Sequence, residues 1–229
     1  MATAYRMRIK TLLIQFGNEI SSRELPLLRG AIIDLVSQDD LFHNHAGDGF
    51  IYRYPLIQYK RIHRQAAIMS VGQGTEQIGK ILEAGSPVLR IGDNEEKFTI
   101  TKITPGNFLV QAWDSHFEYH LRNWLALNQE NHSAYMDLTS VVERASFLQE
   151  ILTGNILSMC KGLGVTIEKE ITCELTRLDE PKLTKYKGNK MMSFDVDFRS
   201  NISIPDYIGL GKGVSLGHGT VVRKYSNQR

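Results

Sequence analysis

The sequence has few cysteines: its 229 residues include only Cys160 and Cys173. Their spacing fits neither a disulfide framework nor a zinc motif, which predicts a protein of a reducing compartment. No apolar run approaches the length that crosses a bilayer, so we expect no membrane partner. The opening stretch MATAYRMRIKTLLIQF lacks a small-residue cleavage site, which favours a strand over a secretory signal. These features together predict a cytoplasmic location.

Low-complexity segments and short tandem repeats are also absent. The hydrophobic content of 42% and the charged content of 23% are ordinary for a globular chain, and the length fits one large domain or two of average size. The net charge of +2 hides an asymmetry, because residues 181–229 hold nine Lys or Arg against three Asp or Glu. A basic C-terminal segment is typical of a polyanion-binding surface, although solvated lysines at an edge give the same composition.

The predicted elements follow the same order in both halves of the chain. In the first half, Ser21 and Glu24 have the spacing of a capping box ahead of a helix, and Thr75 is the predicted cap of a second helix. The predicted strands of this half lie at 7–16, 50–59, 66–71, 97–104 and 107–112.

In the second half, Ser140 and Glu143 form another capping-box pattern before a long helix with one apolar stripe. Its predicted strands lie at 117–127, 165–177, 190–204 and 219–225. This order predicts an α+β fold class, with two tandem ferredoxin-like (RRM-like) domains at residues 1–112 and 113–229 and a C-terminal glycine-rich loop. Such sheets recur in proteins that read single-stranded RNA, although a fold alone does not give a function.

The least ordinary stretch of the sequence is IGLGKGVSLGHGT at residues 208–220. Its alternating glycines are Gly209, Gly211, Gly213, Gly217 and Gly219. Backbone N–H groups can approach an anion where no Cβ intervenes, and Lys212 adds a positive charge. The spacing matches neither a P-loop nor a dinucleotide-binding fingerprint. We expect a loop that binds a nucleic-acid backbone; a sharp β-turn with a bulge is the structural alternative.

The same loop, including Ser215, has the pattern G-φ-G-K-x-x-S-φ-G-x-G near the end of the chain. This pattern resembles that of the CRISPR-associated RAMP-superfamily endoribonucleases, which cut repeat RNA into guide RNAs. The strings PLLRGAII, LFHNH and YRYPLIQYKRI are similar to the b-type subgroup of that family. The resemblance covers nearly the whole chain. It departs at His218, because the family often has an aromatic residue near the end of the loop.

The resemblance implies cleavage without a metal, in which the RNA 2′-OH attacks the adjacent phosphate and leaves a 2′,3′-cyclic phosphate and a 5′-OH. Such a reaction needs a base, an acid and a positive charge, which histidine and lysine can supply. The family's catalytic histidine corresponds to the His43 and His45 pair, with His45 expected as the principal acid or base. Tyr52, with an ordinary pKa of about 10, fits better as an orienting group or acid than as a base. Lys60 completes the candidate catalytic set.

Other interpretations of these residues are open. His43 and His45 could be two ligands of a metal-dependent phosphoesterase, but zinc sites need three or four ligands and no nearby motif completes one. His45 could serve only loop hydrogen bonding. The chain could also be a non-cleaving RNA-binding subunit of a CRISPR effector complex. The remaining histidines are scattered and form no recognisable group; they include His116, His120 and His132.

Two basic clusters, YKRIHR and PKLTKYKGNK, are candidates for phosphate contacts, which give affinity but little sequence choice. The predicted RNA-binding residues are Arg61, Arg64, Lys182, Lys185, Lys187, Lys190, Gly209, Gly211, Lys212, Gly213, Ser215, Gly217 and Gly219. Expected partners are CRISPR repeat RNA and other CRISPR effector proteins, with no cofactor and no metal. The sequence leaves monomer and homodimer both open.

Overall fold

A computed structural model of the chain describes residues 8–36, 54–83 and 85–225. The elements are β1 (Arg8–Glu19), α1 (Leu25–Val36), β2 (Ile57–Ile62), β3 (Gln65–Val71), α2 (Gly74–Gln77), α3 (Gly79–Glu83), β4 (Val88–Ile91), β5 (Asn94–Lys97), β6 (Ile100–Leu109), β7 (Ala112–Trp124), α4 (Gln129–Asp137), α5 (Val141–Gly162), β8 (Cys173–Leu178), β9 (Lys182–Tyr186), β10 (Asn189–Ile202) and β11 (Thr220–Lys224). One unit comprises Ile9–Phe108 with Ser215–Gly217. The other comprises Leu109–Val214 and the described residues from His218 onward, with Arg8.

The N-terminal unit is built on a four-stranded sheet with the order β2-β3-β1-β6. In chain order these four strands are β1, β2, β3 and β6, and the first and third of them, β1 and β3, are central in the sheet. This is the ferredoxin-like arrangement. β1 and β3 pair antiparallel, with Ile14 opposite Ile68. Both side chains are fully buried in a core that includes Phe16, Leu28 and Ile32. Each such side chain contributes about 1.5–3 kcal/mol when removed from water.

The capping-box spacing at Ser21 and Glu24 predicts a helix from residue 22, but helix α1 begins three residues later, at Leu25. The carboxylate of Glu24 accepts a hydrogen bond from the N–H of Ser21 at 2.8 Å. The N–H of Glu24 donates to the backbone oxygen of Ser21 at 3.1 Å, so a tight turn leads into Leu25. Pro26 lies in the first helical turn, where its missing N–H costs nothing.

The helix predicted with Thr75 as its cap is wrong in detail. The structure has two short helices, α2 and α3, and the N-cap of α2 is Gln73, which makes no side-chain cap hydrogen bond. The hydroxyl of Thr75 instead donates to the backbone oxygen of Gly72 at 2.8 Å. Gly72 has a φ of 55° and turns the chain earlier than the sequence pattern indicates.

The C-terminal unit repeats the strand arrangement, with the order β11-β7-β10-β8 and β9 paired to β10. The predicted capping box at Ser140 is confirmed, since both of its reciprocal hydrogen bonds with Glu143 are present. Between β10 and β11 the glycine-rich segment, with a 3₁₀ turn at Val214–Leu216, stands where a ferredoxin-like unit has its second helix. The predicted fold class, two tandem ferredoxin-like α+β units with a C-terminal glycine-rich loop, is confirmed. Among the described residues, no helix is both long enough and apolar enough to cross a bilayer.

Candidate functional site

Of the four candidate catalytic residues, only Lys60 falls within the described residues; His43, His45 and Tyr52 lie outside them. Lys60 lies on β2 opposite Ala67. Its side chain is almost fully buried, with 1% of its surface exposed. Burial penalises the ammonium form and lowers the pKa of Lys60 to about 7. Near neutral pH this lysine is therefore present in both its charged and its neutral form, whereas an exposed lysine stays charged.

The other two members of the YKRIHR cluster differ from Lys60 in environment. Arg61 is exposed, and its Nε donates to the backbone oxygen of Ile20 at 2.6 Å. Arg64 lies in the turn between β2 and β3, and its guanidinium forms an exposed ion pair with Glu19 at 3.0 Å. The three basic residues do not form one uniform cationic patch, because one is buried and one is paired.

The PKLTKYKGNK segment forms the β9–β10 hairpin. Its turn residues Lys187 and Gly188 both have positive φ, 48° and 84°, as a tight two-residue hairpin turn requires. Lys185 lies directly opposite Lys190 in the ladder, and Leu183, with 72% of its surface exposed, lies on the same face. We call this surface the lysine face. Like charges directly opposite each other destabilise a hairpin, so the lysine face suits a polyanion that would screen them.

Lys182 belongs to the same segment but not to the lysine face. It lies on the opposite face of the hairpin, and its Nζ is 2.8 Å from a carboxylate oxygen of Asp195. The hydrogen bond to Asp195 raises the pKa of Lys182. The four lysines that the sequence groups together therefore have three different environments. Lys182 is paired with Asp195, Lys185 and Lys190 face each other across the two strands, and Lys187 lies in the turn.

The glycine-rich loop is closed by its own backbone. The N–H of Leu210 donates to the oxygen of Gly219 at 2.8 Å, and the N–H of Gly219 donates to the oxygen of Asn123 at 3.0 Å. A Cβ at Gly219, where φ is 61°, would collide with the carbonyl of Leu210. The N–H groups of Lys212 and His218 also donate to backbone oxygens. These four donors are engaged within the protein, so closing the loop is a first reason for its glycines.

The other predicted loop residues have separate positions. Gly209 bridges to Thr220, and Gly211 lies against the side chains of Trp124 and Asn155. Ser215 lies in the 3₁₀ turn and is grouped, with Gly217, in the N-terminal unit. The side chain of Lys212 is exposed.

The loop and the hairpin meet at His218. This side chain is 9% exposed, and its Nδ1 is 3.0 Å from Nδ2 of Asn123. Asn123 has a φ of 50°, and its N–H donates to Asp195 at 2.6 Å. The ring of Tyr186 meets the His218 ring edge to face, with 5.4 Å between centroids. A Cβ on Gly213 would come within 2.8 Å of both rings, so a glycine lets the loop lie against them.

His120, which the sequence analysis left without a group, lies in a charged network. Its Nδ1 is 2.6 Å from Asp197, and Arg177 and Lys224 also donate to this carboxylate at 3.0 and 2.9 Å. Burial alone would raise the pKa of Asp197, but the hydrogen bonds from Arg177, Lys224 and His120 outweigh it and lower the pKa. The alternation of side chains along β7 and β10 can be read from the sequence. The pairing of His120 with Asp197 also requires the register of the two strands, which the sequence does not give.

Within the three described ranges, no group of three or more His, Cys, Asp and Glu side chains is arranged to hold a metal ion. Two acidic residues of the C-terminal sheet are instead paired with cations. Asp195 accepts from Lys182, and Glu174 accepts from Arg199 at 2.6 Å.

Comparison with known proteins gives consistent matches over both units. The Cas6b N-terminal domain profile matches residues 7–108, and the Cas6b C-terminal domain profile matches residues 111–224. A crystal structure of Cas6b superposes with a TM-score of 0.86 at 31% identity, covering 95% of this chain and 100% of that one. A structure of the CRISPR RNA processing endoribonuclease Cas6b gives 0.71 at 30% identity, with 95% and 100% covered. An uncharacterized protein of Methanocaldococcus jannaschii is 41% identical over 100 residues, 44% of this chain and 67% of that protein.

Proposed function

The chain belongs to the Cas6b family, and on that premise we propose that it is an endoribonuclease that processes CRISPR repeat RNA into guide RNAs. The match of both domain profiles carries this proposal. The two profiles together cover both units of the chain, and they are specific to the Cas6b family, whereas a ferredoxin-like fold alone would be shared with many unrelated proteins. The proposed partners are the repeat RNA and other CRISPR effector proteins. In this proposal residues 1–112 form the cutting domain and residues 113–229 form the domain that holds the RNA.

The proposed reaction needs no metal. The 2′-oxygen of the RNA gives its proton to a base and forms a bond to the adjacent phosphorus, while the bond from phosphorus to the 5′-oxygen breaks and that oxygen takes a proton from an acid. His45 is the proposed principal acid or base and His43 the second, and either histidine can take either role. Tyr52 is proposed to orient one of these groups or to donate a proton.

Lys60 is the proposed source of positive charge for the phosphorane. Its burial supports a part in chemistry, since strongly shifted pKa values cluster at functional sites. Because the pKa of Lys60 is about 7, its ammonium form declines as the pH rises through neutrality. The contribution of this charge to the cleavage rate is therefore expected to fall above pH 7.

RNA binding is proposed to rest on the lysine face, Lys187 and Lys212, with weaker contributions from Lys182, Arg61 and Arg64, which have protein partners. The uncompensated charge of Lys185 opposite Lys190 supports this ranking. The glycines of the loop and Ser215 are proposed to bring the backbone close to the RNA. The remaining proposed contacts are Gly209, Gly211, Gly213, Gly217 and Gly219.

The test is cleavage of the repeat RNA of the source genome in the presence of EDTA. Three reactions are compared: wild type, His45→Ala, and wild type on RNA with a 2′-deoxy sugar at the cut site. We expect cleavage only in the first, with 5′-OH ends that polynucleotide kinase labels directly. His132→Ala is the matched control, because His132 is an exposed histidine of α4, and it should cut as wild type does.

Each other outcome selects a different function. RNA that is shifted in a gel but never cut indicates a non-cleaving RNA-binding subunit. Cleavage that appears only when a divalent metal is added would overturn the metal-independent mechanism and favour a metal-dependent phosphoesterase that uses His43 and His45. Cleavage of the 2′-deoxy RNA would exclude attack by the 2′-OH.

A further inference from the structure

The ring of Tyr186 is held in place by residues of the glycine-rich loop. The buried His218 meets it perpendicularly, and the backbone at Gly213 lies too close to both rings for a side chain to intervene. His218 is itself fixed by Asn123. Tyr186 is nevertheless partly exposed, and its hydroxyl makes no hydrogen bond within the described part of the chain. The ring is thus both fixed and open to solvent.

Two lysines from different elements converge on this ring. Nζ of Lys187, in the hairpin turn, is 5.8 Å from the ring centroid, and Nζ of Lys212, in the glycine-rich loop, is 5.9 Å from it. Neither lysine forms an ion pair with any carboxylate among the described residues. Two ammonium groups around one ring without a counter-charge give a local excess of positive charge, which favours an anion beside the ring.

A fixed aromatic ring with two uncompensated lysines over it has the two features with which proteins hold single-stranded nucleic acid. Bases stack on aromatic rings, and the backbone follows positive charge. We infer that Tyr186 is a platform on which one unpaired base of the bound RNA stacks, and that Lys187 and Lys212 contact the phosphates beside that nucleotide. This inference rests on the proposed RNA-binding function and adds a preference: purines stack more extensively than pyrimidines, so the platform favours a purine.

The test uses fluorescein-labelled octamers of adenylate and of uridylate, followed by anisotropy titration. Wild type should bind the adenylate octamer more tightly. Tyr186→Leu should weaken adenylate binding about fivefold or more, and uridylate binding less, so that the preference disappears. Tyr186→Phe should retain the preference, and Tyr186→Trp should increase it. Because Phe and Trp keep an aromatic ring, these two variants test stacking even where Tyr186→Leu fails to fold.

The lysines have their own readout in the salt dependence of binding. Lys212→Gln and Lys187→Gln should each reduce the slope of log affinity against log salt by about 0.7, the value for one phosphate contact to a single strand. Lys161→Gln, at an exposed position of α5, is the matched control and should leave the slope unchanged. A merely structural role for these lysines would not change the slope.

Tyr225→Leu is the matched control for the ring, because Tyr225 is exposed and has a guanidinium 5.3 Å from its centroid. Undetectable octamer binding by wild type, or an unchanged adenylate preference in a folded Tyr186→Leu, would overturn the platform. The octamers carry no repeat sequence and are not assayed for cutting. An adenylate preference without cleavage of the repeat would therefore contradict the proposed nuclease activity but not the platform. Cleavage of the repeat without an adenylate preference would contradict the platform but not the nuclease activity.

Discussion

Nδ1 of His120 lies 2.6 Å from Oδ1 of Asp197, which joins residues 77 positions apart in the sequence. Arg177 on β8 and Lys224 on β11 reach the same carboxylate. A single carboxylate on β10 therefore ties together all four strands of the main C-terminal sheet. Loss of this carboxylate removes a hydrogen-bond partner of both His120 and Lys224, whereas Arg177 keeps its ion pair with Asp179. Removing it should therefore cost more than the loss of one surface ion pair.

Asp197→Asn should destabilise the protein at neutral pH by about 1–2 kcal/mol, which is less than for a fully buried pair because the side chains of Arg177 and Lys224 are nearly half exposed. The pKa of Asp197 is lower in the folded protein than in the unfolded chain, so this stabilisation is present above the unfolded pKa of about 3.9 and is lost as the pH falls below it. Urea unfolding at several pH values should show the wild-type and variant curves converging in acid. Asp114→Asn, which breaks an exposed pair with Lys169, should leave the midpoint unchanged.

Lys60→Met should change how stability depends on alkaline pH. The folded pKa of Lys60, about 7, lies below its unfolded value, so between the two the unfolded chain binds more protons than the folded protein. Wild-type stability should therefore rise with pH above 7, relative to the variant, by at most about 1.4 kcal/mol per pH unit. Thermal or urea unfolding between pH 7 and pH 9 measures the difference. Parallel curves for wild type and variant would contradict the assigned burial, and the exposed Lys102→Met should behave as wild type does.

Lys185→Glu should affect stability and RNA binding in opposite directions. The new carboxylate would face Lys190 directly and replace a repulsive cross-strand pair by an attractive one, worth about 0.2–1 kcal/mol. RNA affinity should fall, and the salt slope should decrease, because a phosphate contact is lost. Thermal unfolding and filter binding of the repeat RNA measure the two effects. Unchanged RNA affinity in this variant would remove the lysine face from the binding surface.

Gly219→Ala should disrupt the glycine-rich loop, because its Cβ would collide with the Leu210 carbonyl and its φ is positive. Gly154→Ala is the matched comparison within the same unit. Gly154 lies inside α5 with nothing within 4 Å of an added Cβ, so alanine there should stabilise the protein by about 1 kcal/mol. Thermal unfolding of the two variants should give shifts of opposite sign. A loop that tolerates Gly219→Ala without loss of stability would show that its glycines are not required for closure.

Local patterns in the sequence predicted the features that short-range physics decides. The capping box at Ser140 and the buried stripe of α5, which includes Leu148 and Leu152, are set by neighbours three or four residues apart. The family resemblance is also confirmed, because a spaced glycine pattern and short strings identify it. The prediction that Thr75 caps a helix was wrong, because a left-handed turn at Gly72 starts the helix earlier than the sequence pattern indicates.

Features that depend on distant pairing were not predictable in the same way. The sequence analysis treated residues 182–190 as one basic cluster, and only the register of β9 against β10 separates Lys182 from the lysine face. His120 looked isolated because its partner lies on another strand. The assignments of His43, His45 and Tyr52 remain predictions, since they lie outside the described residues.

The β9–β10 hairpin lies off the main path of its sheet, and among the described strands β9 pairs with β10 alone. The hairpin segments 182–186 and 189–193 therefore pair with each other and with no other described strand, and the Lys182–Asp195 ion pair also lies within this part of the chain. The consequence is evolutionary: a hairpin of this kind can change as the RNA it meets changes, while the glycine-rich loop beside it keeps its shape. Descendants of one ancestral chain could then adapt to new repeats by altering this peripheral hairpin. The contact of Tyr186 with His218 would keep the hairpin aligned with the glycine-rich loop.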